Sequence, residues 1–184
     1  MNRHIFAMQG ISGSQRTNTA NFIGSLTTLS LDFEITKWNE DGITYFGSPS
    51  PETIRRLGLP SPSIVSPVDL TLCAIVSTDN FFVEDNGVFS FDSSKLREYR
   101  EKTENNLQKV ISLGVPVIIV DESNLSSKDV SKLKSVADNG KYSFSLIKVP
   151  LVGATTAAQN CPRGYSKEVI SRQIDDYKNN KFSF

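Results

Sequence analysis

The chain has 184 residues, of which 38% are hydrophobic and 22% charged, and this composition is typical of a globular protein with one core. Its 20 basic and 20 acidic residues cancel, so the net charge gives no argument for nucleic-acid binding. Two cysteines and a single histidine are too few for a disulfide framework or a His-rich metal site. With no apolar run of membrane-spanning length and no secretory signal pattern, we expect one domain over residues 1–184, cytoplasmic and without a membrane partner.

The N-terminal region predicts a strand, a glycine-rich turn and a helix in succession. Residues 3–9 form a short apolar run, the segment "GISGSQRT" follows, and residues 17–26 carry apolar side chains at helical spacing. This is the order that a phosphate-binding loop requires, because the N–H groups at the start of the helix then face the phosphate.

Residues 28–68 are predicted to form an insertion with a β-hairpin and a Pro/Ser-rich loop. Residues 31–38 and 43–46 alternate between apolar and polar side chains on either side of an Asp-Gly turn, which indicates a hairpin. Trp38, Tyr45 and Phe46 are expected to form its packed face. From residue 47 to 67, prolines and serines leave room for at most one helical turn, near residues 52–57.

The remainder of the chain alternates between predicted strands and helices. Strands are expected at residues 69–77, 115–121 and 142–149, and helices at 93–113, 126–137 and 165–177, the first of them capped by Ser93 or Ser94. Alternation of this kind favours a mainly parallel sheet with helices on both faces, an α/β domain of three layers.

Two segments carry a resemblance to a known family. The chain reads "STDNFFVEDNGVFSFDSSKL", then a long helix, then "GVPVIIVDESNL". This pattern resembles the polynucleotide-kinase-like P-loop proteins, which include phage-type polynucleotide kinases and relatives among Nedd4-binding proteins. The segment "QNCPRGYSKEVISRQIDDY" is similar to the lid of that family. The resemblance implies a three-layer P-loop kinase-like α/β fold, with residues 28–68 as an insertion.

The resemblance also implies a function: ATP- and Mg²⁺-dependent transfer of a phosphoryl group to a hydroxyl, such as a polynucleotide 5′ end. It makes Asp79 the base, Asp121 the support of the Mg²⁺ shell, and Arg163 the residue that closes the lid, with Asn124 bracing the loop after Asp121. The residues expected to bind nucleotide are Gly10, Gly13, Ser14, Gln15, Arg16 and Thr17. The resemblance also implies a catalytic role for Arg16, and the Thr17 hydroxyl is expected to ligate Mg²⁺. The implied partners are a nucleotide and a nucleic-acid 5′ end, and a protein partner is a further alternative.

The loop departs from the Walker pattern G-x-x-x-x-G-K-[ST] at two positions. Gln15 stands in place of a glycine that is expected to need positive φ, which costs a residue with a Cβ roughly 1 kcal/mol. Arg16 replaces the lysine, and its planar guanidinium is not equivalent to an ammonium group. In the lid, Gln159 stands where the family has a catalytic arginine, with Arg163 as a substitute. These changes leave open an alternative, a catalytically inactive kinase-like fold used for binding or assembly.

A second alternative is a flavin protein. The segment "GISGSQRTNTANFIGSL" is similar to the FMN-reductase branch of flavodoxin-like proteins, in which Ser12, Ser14, Arg16, Thr17 and Asn18 would hold the flavin phosphate. The alternating "FEITKW" would then be the second strand of the sheet. Against this, the segment "VIIVDESNLSSKD" has no Gly-rich loop of the kind that the flavin family carries after its fourth strand.

Overall fold

The fold is an α/β sandwich built on a six-stranded mixed sheet. The computed structural model describes residues 3–27, 36–60, 68–84 and 86–179. The strands are β1 (His4–Gln9), β2 (Thr36–Glu40), β3 (Ile43–Ser48), β4 (Leu70–Val76), β5 (Val117–Val120) and β6 (Ser143–Lys148). The helices are α1 (Arg16–Leu26), α2 (Pro51–Leu57), α3 (Leu96–Ser112), α4 (Ser127–Asn139), α5 (Ala154–Gln159) and α6 (Lys167–Asn179). The strand order is β2-β3-β4-β5-β1-β6.

The strands β4, β5, β1 and β6 are parallel, and β3 of the hairpin runs antiparallel to them. β1 pairs in parallel with β5 and β6, and β4 pairs in parallel with β5, whereas β3 pairs antiparallel with both β4 and β2. Side chains alternate between the two faces of β5, so that Ile118 and Val120 meet one layer of helices while Ile119 meets the other. The predicted three-layer α/β architecture with a mainly parallel sheet is confirmed.

The helices that follow β1 and β5 leave the sheet on opposite faces. Ala20 and Ile23 of α1 pack in one core cluster, while Leu133 and Val136 of α4 pack in the cluster on the other face. Because β1 and β5 are neighbours in the sheet, their diverging connections open a crevice at the strand carboxyl ends. Ligands of open α/β sheets bind in such a crevice, and both the glycine-rich loop and Asp121 border it.

The hairpin of the insertion joins the sheet as its outer two strands. Trp38 and Tyr45 are buried and stack with ring centroids 5.2 Å apart. Phe46 is buried on the opposite face of the sheet, where its ring contacts Gly24 of α1. The expectation of one packed face is therefore wrong, since the hairpin is a full part of the sheet and is covered on both sides. Residues 31–35 of the predicted first strand lie outside the described residues.

Three local details differ from the sequence predictions. The Pro-rich segment contains α2, a seven-residue helix rather than a single turn, capped by the Ser50 side chain and ended by Gly58. The long helix is preceded by a 3₁₀ turn whose cap is Asp92, which accepts a hydrogen bond from the Ser94 N–H at 2.9 Å, so neither predicted serine is the cap. Helix α5 was not predicted, and it packs on the glycine-rich loop.

The strand order contradicts the flavodoxin alternative. In a flavodoxin-like sheet, ordered 2-1-3-4-5, the first strand lies between the second and the third. Here β1 lies between β5 and β6, while β2, which contains part of "FEITKW", forms the far edge of the sheet. Within the described residues, no helix has the length and hydropathy to span a bilayer.

Candidate functional site

The loop between β1 and α1 is held against α5 and α6. Gly13 has a φ of 76°, and a Cβ at this position would overlap the carbonyl oxygen of Ala157 in α5. The Ser12 N–H donates to Gln173 Oε1 at 2.8 Å, and the Ser14 N–H donates to the Ile11 carbonyl at 3.3 Å. Only glycine fits at position 13, and three of the loop N–H groups are already satisfied by the protein, since the Gly10 N–H also donates to the Ser123 carbonyl at 3.2 Å.

Gln15 adopts the left-handed conformation expected for the glycine that it replaces. Its φ of 65° and ψ of 27° place it in the αL region immediately before α1. The first backbone hydrogen bond of helix α1 runs from the Thr19 N–H to the Gln15 carbonyl, at 3.1 Å. The N–H groups of Arg16 and Thr17 precede that bond and point out of the helix start, where the helix dipole favours an anion.

Replacing Gln15 with glycine is expected to stabilise the protein. Gln15→Gly relieves the αL strain, and after the entropy of the unfolded glycine is subtracted, the free energy of unfolding should rise by about 0.5 kcal/mol. Chemical denaturation measures this change. Asn18→Ala serves as control, because it removes the 3.3 Å hydrogen bond to the Gln15 side chain but leaves the backbone strain. A Gln15→Gly variant less stable than the wild type would contradict the assignment of strain.

Arg16, Thr17 and Asp121 form a buried cluster beneath the loop. The Thr17 hydroxyl donates to Asp121 Oδ2 at 2.6 Å, and Arg16 Nε lies 3.9 Å from Asp121 Oδ1. Arg16 is 7% exposed and Asp121 2%. Two buried atoms, Arg16 Nη1 and Asp121 Oδ1, have no hydrogen-bond partner among the described residues. Because unsatisfied buried polar atoms are costly, this donor and acceptor indicate a place completed by another group.

Burial dominates the protonation of Asp121. Removal from water raises the pKa of the Asp121 carboxyl, and the charge of Asp79 raises it further. The charge of Arg16 and the hydrogen bond from Thr17 oppose this rise without cancelling it. Asp121 therefore depends on neighbouring positive charge to remain ionised.

Asp79 lies in the 3₁₀ helix Thr78–Phe82, which follows β4, and is clamped by Arg163. Arg163 Nε donates to Asp79 Oδ1 at 2.7 Å, and Nη2 of the same guanidinium lies 2.6 Å from that oxygen in an ion pair. The guanidinium also lies over the rings of Phe91 and Tyr165. Burial disfavours the charged guanidinium, but the carboxylate of Asp79 and a hydrogen bond to Tyr165 outweigh it, so the pKa of Arg163 is raised. The segment predicted to be a lid thus reaches across to the predicted base.

A cavity of about 340 Å³, here called the loop cavity, brings most of the predicted site residues together. Its walls include the predicted Gly13, Gln15, Arg16, Thr17, Asp79 and Arg163, together with Ser12, Asn18 and residues 160–162. Gly10, Ser14 and Asp121 lie behind this wall: Gly10 contacts Ser14 and Arg16, and Ser14 donates to the Ile11 carbonyl at 2.7 Å. The predicted residues therefore form one site in two layers.

The geometry of this site suits phosphate binding and proton transfer. No known protein-family model matches the chain. Helix-start N–H groups and a guanidinium suit phosphate oxygens, and a clamped carboxylate opposite them suits a proton acceptor. Among the described residues, no group of three or more His, Cys, Asp and Glu side chains is placed to hold a metal ion.

The loop after β5 contains Asn124, the predicted brace, and Glu122, which the sequence analysis missed. Asn124, with φ of 46°, donates from Nδ2 to the Met8 carbonyl at 2.7 Å, and its own carbonyl accepts from Gln9 Nε2 at 2.8 Å. Glu122 Oε1 accepts the Thr78 N–H at 2.6 Å, so it joins the end of β5 to the residue before Asp79. The acidic run after an apolar strand was the only available signal for Glu122.

Replacing Glu122 with glutamine should change how stability depends on pH. Burial raises the pKa of Glu122, and the folded state therefore holds its proton more tightly than the unfolded state. The stability supplied by that proton is present below about pH 4.5 and is lost as the pH rises through the folded pKa. Glu122→Gln keeps an acceptor for Thr78 but does not titrate, so its melting temperature relative to wild type should rise between pH 4.5 and 7.5. A constant difference would contradict the raised pKa.

The insertion is attached directly to the segment that carries Asp79. Asn80 Nδ2 donates to the Gly42 carbonyl at 3.1 Å and to Thr44 Oγ1 at 3.3 Å. The ring of Phe81 lies so close to Gly42 that a Cβ there would overlap it, and Gly42 has a φ of 76°. Asn106 of α3 donates to the Asp41 carbonyl at 2.7 Å. The hairpin turn therefore holds the segment that carries Asp79 and helix α3 in a fixed relation.

Proposed function

We propose that the protein transfers a phosphoryl group from ATP to a hydroxyl acceptor, such as a polynucleotide 5′ end, in the loop cavity. One observation carries the proposal: residues of the glycine-rich loop, with Arg16 among them, and a clamped carboxylate, Asp79, line the same cavity. The cavity lies at the crevice that opens between the diverging connections after β1 and β5, the usual ligand position of such sheets.

The residues present fit ATP and Mg²⁺. Arg16 Nη1 is a buried donor without a partner among the described residues, and a phosphate oxygen would satisfy it. Asp121 Oδ1 is a buried acceptor that also has no hydrogen-bond partner among the described residues. In proteins, Mg²⁺ is usually held by one or two carboxylates together with phosphates and water. Thr17 and Asp121 would hold this ion, which when bound neutralises charge on the phosphates. Gly13 and Arg16 would bind the phosphate chain.

Asp79 and Arg163 would act on the acceptor side. Both contacts from Arg163 fall on Oδ1 of Asp79, which leaves Oδ2 as the oxygen that accepts a proton from the hydroxyl. Arg163, on the lid segment, can exchange part of this ion pair for contacts with a transferring phosphoryl group. A shift of Arg163 away from Asp79 would free the carboxylate to accept the hydroxyl proton.

Labelled phosphate transfer tests the proposal. The full chain is incubated with γ-labelled ATP, Mg²⁺ and a 5′-hydroxyl oligonucleotide, and a 5′-phosphorylated oligonucleotide serves as the blocked control. We expect label on the hydroxyl oligonucleotide alone. ATP binding without transfer to this acceptor or to any other hydroxyl compound tried would reject the kinase function and retain only nucleotide binding.

A second candidate function is binding without catalysis. This candidate is favoured because several polar groups of the loop are already occupied by contacts within the protein. The Ser12 and Ser14 N–H groups are hydrogen-bonded, and Arg16 is buried against Asp121. A kinase-like fold with a loop closed in this way would serve in assembly with a partner. Absence of ATP binding at millimolar nucleotide would favour this candidate over the first.

A further inference from the structure

The 3₁₀ helix that carries Asp79 is too short to fix its own orientation. It spans the five residues Thr78–Phe82, and the hydrogen bonds of 3₁₀ helices have poorer geometry than those of α-helices. The Asn80 N–H donates to the Ser77 carbonyl at 3.2 Å, and the Val83 N–H donates to the Asn80 carbonyl at 3.4 Å. Both bonds are longer than the usual distance of about 2.9–3.0 Å. The direction of Asp79 therefore depends on the contacts that tie this helix to the rest of the protein.

Asn80 ties the helix to the hairpin turn through both hydrogens of its side-chain amide. Nδ2 donates to the Gly42 carbonyl at 3.1 Å and to Thr44 Oγ1 at 3.3 Å. The Thr44 hydroxyl donates its own hydrogen to Asn39 Oδ1 at 2.7 Å, so towards Asn80 its oxygen acts as an acceptor. Position 80 therefore needs a side chain with two donor hydrogens. An aspartate of the same shape would place a carboxylate oxygen against two acceptors.

The two neighbours of Asp79 are held from different parts of the fold. The Thr78 N–H donates to Glu122 Oε1 at 2.6 Å, in the loop after β5. Asn80 is held by the hairpin, whose strand β3 pairs antiparallel with β4. The described residues that line the loop cavity include Asp79 but not Asn80. Asn80 is therefore placed to act on the site through Asp79 and not by contact with a ligand.

We propose that Asn80 is a positioning residue for Asp79, through which the hairpin of the insertion directs the carboxylate towards Arg163 and the acceptor hydroxyl. The inference rests on the proposed function and gives the insertion a role in it. A general base must lie within hydrogen-bond reach of the proton that it accepts, and a misplacement of about 1 Å can cost roughly 100-fold in rate. The hairpin provides a rigid reference for this placement, because β3 is paired with both β2 and β4.

Asn80→Ala tests the proposal, since it removes both hydrogen bonds without adding a charge. The rate of single-turnover phosphate transfer should fall roughly 10–100-fold, while the affinity for ATP, measured by calorimetric titration, should not change. Asn86→Ala is the matched control. Asn86 is an exposed asparagine on the turn after the same segment, where it bonds Glu84 and Val88. This control should transfer phosphate at the wild-type rate.

Two further readouts separate positioning from a general loss of structure. Because Asn80 acts through the carboxylate, Asp79→Asn/Asn80→Ala should be no slower than Asp79→Asn, whereas general damage would slow transfer in both backgrounds. The second readout is the NMR resonance of the Arg163 Nε–H, which donates to Asp79 Oδ1 at 2.7 Å. This resonance should shift in Asn80→Ala and stay in place in Asn86→Ala.

Thr44→Val provides a second variant if Asn80→Ala does not fold. Valine keeps the shape of this buried threonine but removes one of the two acceptors of the Asn80 amide. Transfer should slow by a smaller factor than in Asn80→Ala, again without a change in ATP affinity. A wild-type rate in Thr44→Val together with an unshifted Arg163 resonance would overturn the inference.

The possible results distinguish the inference from the proposed function. Slower transfer in Asn80→Ala that disappears in the Asp79→Asn background, with a shifted Arg163 resonance, supports the inference. A wild-type rate in Asn80→Ala, or equal slowing in both backgrounds, overturns the inference and leaves the proposed function intact. If the wild type transfers no phosphate, the proposed function fails. A shifted Arg163 resonance in Asn80→Ala would then still show that the hairpin sets the direction of Asp79, and an unshifted one would reject that as well.

Discussion

Asp79→Asn is expected to lower the rate of phosphoryl transfer by roughly 100-fold or more while leaving the affinity for ATP unchanged. A general base contributes about 10²–10⁴-fold to a rate, and the amide of asparagine cannot accept the proton. Its carbonyl oxygen can still accept from Arg163, so the lid should keep its place. Single-turnover transfer of labelled phosphate measures the rate, and calorimetric titration with ATP measures the affinity.

A matched control separates the loss of the base from a general loss of carboxylate. Asp92→Asn removes an exposed carboxylate that caps the 3₁₀ turn before α3 and does not line the loop cavity. This variant should transfer phosphate at the wild-type rate. If Asp79→Asn also transferred phosphate at the wild-type rate, Asp79 would not be the general base, whatever the stability of the variant.

Arg16→Met is expected to lower the free energy of unfolding by roughly 3–5 kcal/mol at pH 7. The variant leaves Asp121 buried without its neighbouring cation, and isolated buried charges carry a penalty of that size. The penalty should shrink at low pH, because protonation of Asp121 removes the stranded charge. Urea denaturation at pH 7 and pH 4 measures both effects.

The double variant Arg16→Met/Asp121→Asn tests whether the stranded charge of Asp121 causes the loss of stability. With a neutral amide at position 121, Thr17 keeps a partner and no charge is stranded, so most of the lost stability should return. A double variant as unstable as Arg16→Met would show that the loss comes from packing around the Arg16 stem. An Arg16→Met variant as stable as the wild type would contradict the claim that Arg16 stabilises the buried charge of Asp121.

Local patterns were sufficient to predict the sheet and the glycine-rich loop. The run of residues 115–121 and the Gly-Ser turn report backbone preferences that act over a few residues. The αL conformation of Gln15 followed in the same way, because the loop pattern fixes which position needs positive φ. Helix α5 gave no such signal, since "ATTAAQ" is too short to show an amphipathic period.

The contacts that define the site could not be predicted from sequence. The clamp joins Asp79 to Arg163, which are 84 positions apart, and the lid pattern gave only a candidate for it. The importance of Glu122 depends on its contact with the Thr78 N–H, which lies 44 positions away and meets it only after folding. The attachment of the hairpin turn through Asn80 likewise requires the insertion to join the sheet.

The measurement that most directly tests nucleotide binding in the loop cavity is calorimetric titration of the full chain with ATP and Mg²⁺. We predict saturable binding to one site, weakened at least tenfold in Arg16→Met/Asp121→Asn, which removes the donor and the acceptor left buried without partners. No detectable heat at millimolar nucleotide, or equal binding by the wild type and the double variant, would contradict the proposed function.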